Sequence, residues 1–254
     1  MISSQVQDDL KREILEGNPW YVGSQFEWAA KPYVRRIYER RFQFIVSCIE
    51  RARSQVEGDL RLLDAGCGDG YWLSRLEAIP GVSLTGIEYN PLRIERARKA
   101  APTAKVYCDD LQTFSSPELF HVVILSQVIE HVHNDVDLLV KMRELLVPGG
   151  TLILGTPNEG SFLHRLRQKF RPGFQTDHVH FYIEAEITRK ITSAGFRIEN
   201  VMYEVFFFGI NRIYNWLNSR SWGFLLLEKL AELIPSECSD YYFECLAPMK
   251  ETGS

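Results

Sequence analysis

Leu62-Leu63-Asp64-Ala65-Gly66-Cys67-Gly68-Asp69-Gly70 is an apolar strand that runs into a carboxylate and then into three glycines spaced two apart. Gly66, Gly68 and Gly70 let the backbone turn tightly and approach a ligand with no Cβ in the way. Tyr71, Trp72, Leu73 and Leu76 then open a helix, so the loop lies between strand and helix. Open α/β sheets bind ligands there, outside the carboxyl ends of their strands. A nicotinamide-binding loop needs Gly-x-Gly-x-x-Gly; here Tyr71 fills the last slot and Gly70 falls one residue early.

Downstream, Thr85-Gly86-Ile87-Glu88 ends a second strand with a carboxylate suited to both hydroxyls of a ribose. Val106-Tyr107-Cys108-Asp109-Asp110-Leu111 ends a third, where Asp109 can receive an adenine amine and the Asp110 or Leu111 amide a ring nitrogen. Val122-Val123-Ile124-Leu125-Ser126-Gln127 reads as a buried fourth strand. Pro148-Gly149-Gly150 is expected to turn the chain into a fifth, Thr151 to Gly155. In this order and spacing, residues 60 to 200 resemble the class I S-adenosylmethionine-dependent methyltransferases. The resemblance implies a Rossmann-like doubly wound α/β fold, with seven strands, mostly parallel, and an antiparallel last strand. It also implies the cofactor S-adenosyl-L-methionine, held by Asp64, Gly66, Cys67, Gly68, Gly70, Glu88, Tyr89, Asp109, Asp110, Leu111, Ser126 and Gln127. The sequence alone leaves two rivals: a nicotinamide-dependent oxidoreductase, and a non-catalytic cofactor-binding subunit.

Composition narrows the class. An apolar fraction of 45% can cover both faces of a sheet, and a net charge of −4 gives no general attraction to nucleic acid. The cysteines, Cys48, Cys67, Cys108, Cys238 and Cys245, show no metal-ligand spacing and fit reduced thiols in a cytoplasmic protein. Met1 to Leu15 is polar and carries no signal-peptide pattern, and no apolar run reaches membrane-spanning length.

The chain divides into an N-terminal helical lid (1–58), a core (59–205 and 236–250) and an aromatic helical insertion (206–235). In the lid, Gly17-Asn18-Pro19 breaks a first helix, and a second runs from about Tyr33 to Ser54 with Val34, Ile37, Phe42, Ile45 and Ile49 on one face. The family's use of N-terminal helices implies that Trp20 or Tyr21 covers the cofactor. In the core, helices are expected at Gly70–Ala78, Pro91–Ala100, Asp135–Leu146 (capped by Asn134) and Glu184–Ala194, with a strand at Arg197–Val205. The insertion is expected to form one or two amphipathic helices before Pro235, and Tyr241–Leu246 resembles the closing antiparallel strand.

The acceptor side rests on Glu130-His131 after the fourth strand and on Asp177-His178-Val179-His180 before the helix containing Glu184. His131, His178 or His180 can accept a hydroxyl proton, with His131 slightly favoured; the alternative is that they orient loops. Glu130, His131 and one of His178 or His180 also resemble the Glu-x-x-Glu-His…His ligands of metal-dependent small-RNA 3′-terminal 2′-O-methyltransferases and, in part, ubiquinone-pathway O-methyltransferases. Gln127 replaces the first glutamate, a poorer ligand, so no metal is assigned, and a metal-assisted O-methyltransferase using Glu130, His131, His178 and His180 stays as the alternative. The basic stretch Ser161 to Arg171 reads either as a solvated helix face or as attraction for an anionic acceptor or a membrane surface. His178-Val179-His180-Phe181-Tyr182, placed before a helix ending Ala-Gly-Phe, resembles glycan and natural-product methyltransferases. The expected reaction is O-methylation of a small-molecule or glycan hydroxyl. No nucleic acid or membrane span is expected, peripheral membrane contact is left open, and the oligomeric state is undetermined.

Overall fold

A computed structural model describes residues 22–170 and 177–249. Its elements in chain order are α1 (Gln25–Ala30), α2 (Pro32–Arg53), β1 (Leu60–Ala65), α3 (Tyr71–Leu76), β2 (Val82–Glu88), α4 (Pro91–Ala100), β3 (Lys105–Cys108), β4 (Phe120–Ser126), α5 (Asp135–Glu144), β5 (Leu146–Pro157), α6 (Phe162–Phe170), α7 (Glu184–Ser193), β6 (Arg197–Tyr203), α8 (Asn211–Asn218), α9 (Ser221–Leu233) and β7 (Asp240–Leu246). The seven strands form one sheet, ordered β3-β2-β1-β4-β5-β7-β6. Pairs among β1 to β5 are parallel, while β7 runs antiparallel to both β5 and β6. The expected doubly wound architecture is therefore present, and its switch point lies between β1 and β4, where a crevice opens for ligands.

Successive residues of one strand enter different cores. Val123 and Leu125 of β4 pack with Leu138 and Met142 of α5 and Ile187 and Ile191 of α7. Val122 and Ile124 pack on the other face with Ile45 and Ile49 of α2 and Leu73 of α3. Burial on both faces explains why the strand reads as a continuous apolar run. Pro32 opens α2 at a position that needs no amide donor, and Arg51 and Arg53 lie in its last turn, where they suit the helix dipole.

Several local expectations change. Helix α1 falls in a stretch given no element by sequence, and Ser24 caps it by accepting from the Glu27 amide. Pro148-Gly149-Gly150 does not precede the fifth strand but lies inside β5, where pairing with β4 shifts register between Phe120 and Val122. Gly149 takes φ +74° there. Asn134 stands at the start of α5, where its carbonyl accepts the Leu138 amide at 3.0 Å but its side chain makes no capping bond. Its neighbour Asp135 is buried instead and accepts from Tyr182 Oη at 2.6 Å and Lys190 Nζ at 3.1 Å. The insertion forms two helices, α8 and α9. The helix expected before Gly17, and Trp20 and Tyr21, lie outside the described residues.

Candidate active site

The glycine loop is pinned from below by β2. The amides of Gly66 and Cys67 both donate to the Ile87 carbonyl, at 2.8 and 2.9 Å. Glu88 is buried and takes the Gly68 amide on Oε2 (3.0 Å) and the Asn90 amide on Oε1 (2.8 Å). Burial holds its carboxyl above the usual range, against the pull of the Asn90 bond. In this structure Glu88 braces the loop that a ribose would approach. Asp64, 1% exposed, ends β1 with Oδ2 lacking any hydrogen-bond partner. Burial, then the charge of Glu88, pushes its carboxyl up to about 7. Burial likewise raises the Cys67 thiol, so it stays protonated.

Two glycines show why no larger residue fits. A Cβ on Gly66 (φ +82°) would stand 2.4 Å from Val128 Cγ2, and one on Gly70 (φ +80°) 2.9 Å from the Ala97 Cα of α4. Gly66→Ala is expected to cost on the order of 2 kcal/mol in urea unfolding, from the left-handed backbone and the displaced Val128. The same variant should weaken S-adenosylmethionine binding by calorimetry.

A cavity of about 870 Å³ opens over this loop and runs toward the ends of β4 and β5. Gly66, Cys67, Gly68, Ser126, Gln127, Glu130, His131 and His178 line it. Helices α1 and α2 close another side: the Gln25 amide donates to buried Asp69 of the glycine loop at 2.7 Å, and Gln25, Trp28 and Tyr38 face the cavity. Gln127 is the one non-glycine residue at positive φ among the described residues, +58°. Its Nε2 is buried without a partner, as are Gln25 Oε1 and Glu130 Oε1. Ser126 Oγ pairs with Tyr242 Oη at 2.7 Å. Asp109, Asp110 and Leu111 lie apart from these groups, at the half-exposed to exposed ends of β2 and β3 beside exposed Tyr89 and Tyr107. There Asp110 Oδ1 accepts from the Gln112 amide, closing a turn.

The acid–histidine cluster is assembled by backbone. After β4 a 3₁₀ turn, Ile129–His131, presents the Glu130 carbonyl to the Val179 and His180 amides, at 2.8 and 3.2 Å. That clamp brings Glu130, His131 and His178 together, with the two imidazoles edge-to-face at 4.7 Å between centroids. His178 Nδ1 lies 2.5 Å from Glu159 Oε2, and His131 Nδ1 lies 3.3 Å from Asp177 Oδ2. Each ring thus stands beside a carboxylate, and Glu159 is shared, its Oε1 lying 3.5 Å from His164 Nε2. Burial pulls His131 down, but Asp177 and the charge of Glu130 outweigh it and hold the ring above the usual histidine range. The Glu130 carboxyl, in a residue 1% exposed, is raised by burial, and its Oε2 accepts a 3.3 Å bond from Thr156 Oγ1.

His180 is separated from this group. Its Nε2 faces the Val132 and His133 carbonyls at 3.1 and 3.2 Å, and its ring stacks on Tyr182. Its contacts fix the loop. Sequence reasoning missed Glu159, Asp69 and Gln25, the first residue of α1. Asn158-Glu159 at the end of β5 was a legible signal, because strand ends at this edge carry ligands.

The methyltransferase-domain family matches residues 34–201. A ubiquinone biosynthesis O-methyltransferase of Cereibacter sphaeroides is 38% identical over 104 residues, 39% of this chain and 42% of that protein. One of Rickettsia prowazekii is 25% identical over 90% of this chain and 92% of its own length. The chain spans about half the length or less of several relatives, among them 53% of a protein of Mycolicibacterium smegmatis named a probable S-adenosylmethionine-dependent methyltransferase. Among solved structures, the magnesium protoporphyrin IX methyltransferase of Synechocystis, with bound S-adenosylhomocysteine, superposes with a TM-score of 0.59 at 16% identity, over 96% of this chain and 94% of that one. The sheet and glycine loop define a class I methyltransferase domain. This chain belongs to the methyltransferase-domain family, whose methyl donor is S-adenosylmethionine. The orphaned carboxylate of Asp64, the braced glycines and the unpartnered Gln127 amide fit that cofactor's cationic and polar groups.

Proposed function

We propose that this chain transfers the methyl of S-adenosylmethionine to a hydroxyl of a small molecule, a phenol or a sugar, bound in the cavity. The carrying observation is the His178–Glu159 pair at the cavity wall, beside Glu130 and His131. When bound, the cofactor supplies an already activated methyl group, so the protein contributes alignment and proton acceptance. Asp64, Gly66, Gly68 and Gly70 would hold its aminoacyl end, Glu88 its ribose, Asp109 and Asp110 its adenine, and Ser126 and Gln127 its sulfonium side. Glu159 accepts from Nδ1–H of His178 and so leaves the Nε2 lone pair to take the acceptor's proton. His131 is less suited, because Asp177 and Glu130 hold it protonated to higher pH. Trp28, Tyr33, Tyr38 and Phe207 on the cavity wall suit a flat acceptor. The ubiquinone-pathway relatives, O-methyltransferases by name, support oxygen as the acceptor atom. The reading keeps 1–58 as lid, 59–205 and 236–250 as core and 206–235 as insertion, since all three contribute cavity wall.

The test is transfer of labelled methyl to a panel of phenols, catechols and hexoses. With a responding acceptor, His178→Ala should lower kcat by roughly 10²–10⁴-fold. Glu159→Gln should lower it roughly ten- to a hundredfold with KM little changed. Failure of every acceptor, or full activity in His178→Ala, would sink this assignment.

One observation favours a metal-assisted variant of the same reaction. Ligand atoms of Glu130, His131 and His178 lie within 4.8 Å of one another, and Glu130 Oε1 has no partner. These residues would hold a divalent ion that polarises the acceptor oxygen. Calorimetry with Mg²⁺ and Mn²⁺ on wild type and Glu130→Gln separates the two. Metal-independent transfer after exhaustive chelation selects the His178 base.

A further inference from the structure

Helices α8 and α9 form a hairpin whose outer surface no other described residue covers. Along α9, Trp222, Leu225, Leu226 and Leu233 make a stripe at helical spacing, with Leu233 77% and Trp222 55% exposed. Ile213 and Trp216 extend it along α8, and the rings of Trp216 and Trp222 meet edge-on at 5.5 Å between centroids. The opposite faces are occupied: α9 buries Gly223, Leu227 and Ala231, and α8 turns Asn211, Tyr214 and Asn215 to the cavity. An apolar face this continuous marks an interaction site.

The charges around the stripe indicate what it meets. Arg212, Arg220 and Lys229 are exposed on the hairpin, and the Arg220 guanidinium lies 4.2 Å over the Trp216 ring. Of the two hairpin acids, Glu228 is paired with Arg40 of α2, leaving Glu232. Arg165 and Lys169 are exposed on α6, whose Leu163 and Arg167 flank Gly209 at the start of the insertion. This basic rim on a chain of net charge −4 is local. Tryptophans and leucines between arginines and lysines are the composition of a helix that lies in the headgroup region of an anionic bilayer.

We propose that the α8–α9 hairpin docks the protein on anionic lipid surfaces, with Trp216, Trp222, Leu225 and Leu226 as anchors and Arg212, Arg220 and Lys229 facing the headgroups. Docking would set one wall of the cavity against the membrane, because α8 carries both the anchor Trp216 and the cavity residues Tyr214 and Asn215. The proposal stands apart from the methyl acceptor's identity.

The experiment is flotation of the full chain with phosphatidylcholine vesicles and with vesicles containing phosphatidylglycerol, at low and high salt. Binding is expected to the anionic vesicles and to fall with salt. W216A/W222A and L225E/L226E should each reduce partitioning by roughly tenfold or more, while calorimetric S-adenosylmethionine binding, which reports folding, stays at the wild-type value. R212Q/R220Q should reduce binding to anionic vesicles more than to neutral ones. No binding by wild type, or equal binding by W216A/W222A, would overturn the proposal. So would a lipid-free dimer in sedimentation velocity that the same substitutions dissolve, since the stripe would then cover a second copy.

Discussion

Asp64→Asn is expected to stabilise the cofactor-free protein above pH 7 and to cost it high-affinity S-adenosylmethionine binding. The buried carboxyl titrates near 7 in the folded chain, against an ordinary value of 3.8. Between those values the folded state holds a proton that the unfolded state has released, so stability falls as pH rises through the window. Below pH 3.8 the group is neutral in both states. Above pH 7 the folded chain carries the full penalty, on the order of 4 kcal/mol. Asparagine removes that penalty and the repulsion with Glu88. It also removes the anion that a cofactor ammonium would neutralise, a loss of about 3 kcal/mol or more, roughly a hundredfold in Kd. Thermal scans from pH 4 to 9 and calorimetry check both halves. An unchanged Kd, or an unchanged pH profile, would contradict the role assigned to Asp64.

Arg41→Ala should produce the largest loss of stability among the charged residues discussed. Arg41 crosses from α2 to the sheet edge, where its Nε bonds Glu204 and its Nη2 lies 3.0 Å from both Glu204 Oε2 and Asp240 Oδ1. All three side chains are buried. Burial would raise Glu204, but Arg41 overcomes it and holds the carboxyl below its usual range. Asp240 is raised, by burial and by Glu204, and remains protonated beside it. Truncating Arg41 leaves a buried anion unpaired, at about 3–5 kcal/mol. The expected drop in Tm is roughly 10 °C. Adding Glu204→Gln should recover part of it, giving a coupling energy in a double-mutant cycle. The deficit of Arg41→Ala should shrink as pH falls and Glu204 protonates; a deficit flat with pH would argue that packing alone is lost.

The donor half of the candidate site was legible because its information is local. Asp64 to Gly70 is one uninterrupted loop, and β1 and β4 are apolar runs that announce burial on both faces. The helices α2, α4, α5 and α7 follow from apolar periodicity and lie close to the expected bounds. The acceptor half depends on pairings between separate loops. His178 could be told from His180 only by the amide bonds of Val179 and His180 to the Glu130 carbonyl, which point alternate side chains in different directions. Glu159 joins His178 across 19 residues, and no spacing rule encodes that partnership. Gln127 was legible as a candidate residue and lines the cavity, but its left-handed backbone was not legible, since glutamine carries no signal for positive φ. Pro148-Gly149-Gly150 misled because those residues mark turns, whereas here they accommodate an irregularity within a strand.

The reversed last strand has one more consequence. Because β7 runs antiparallel to β6, the connection from Glu204 to Ser239 leaves and re-enters the sheet at the same edge, the carboxyl edge of β1 to β5. Between the buried Glu204 and Asp240, a change in its length threads no crossover through the sheet. Exchange of this single segment between homologous chains would be a route to new acceptors and new surfaces on an unaltered donor site.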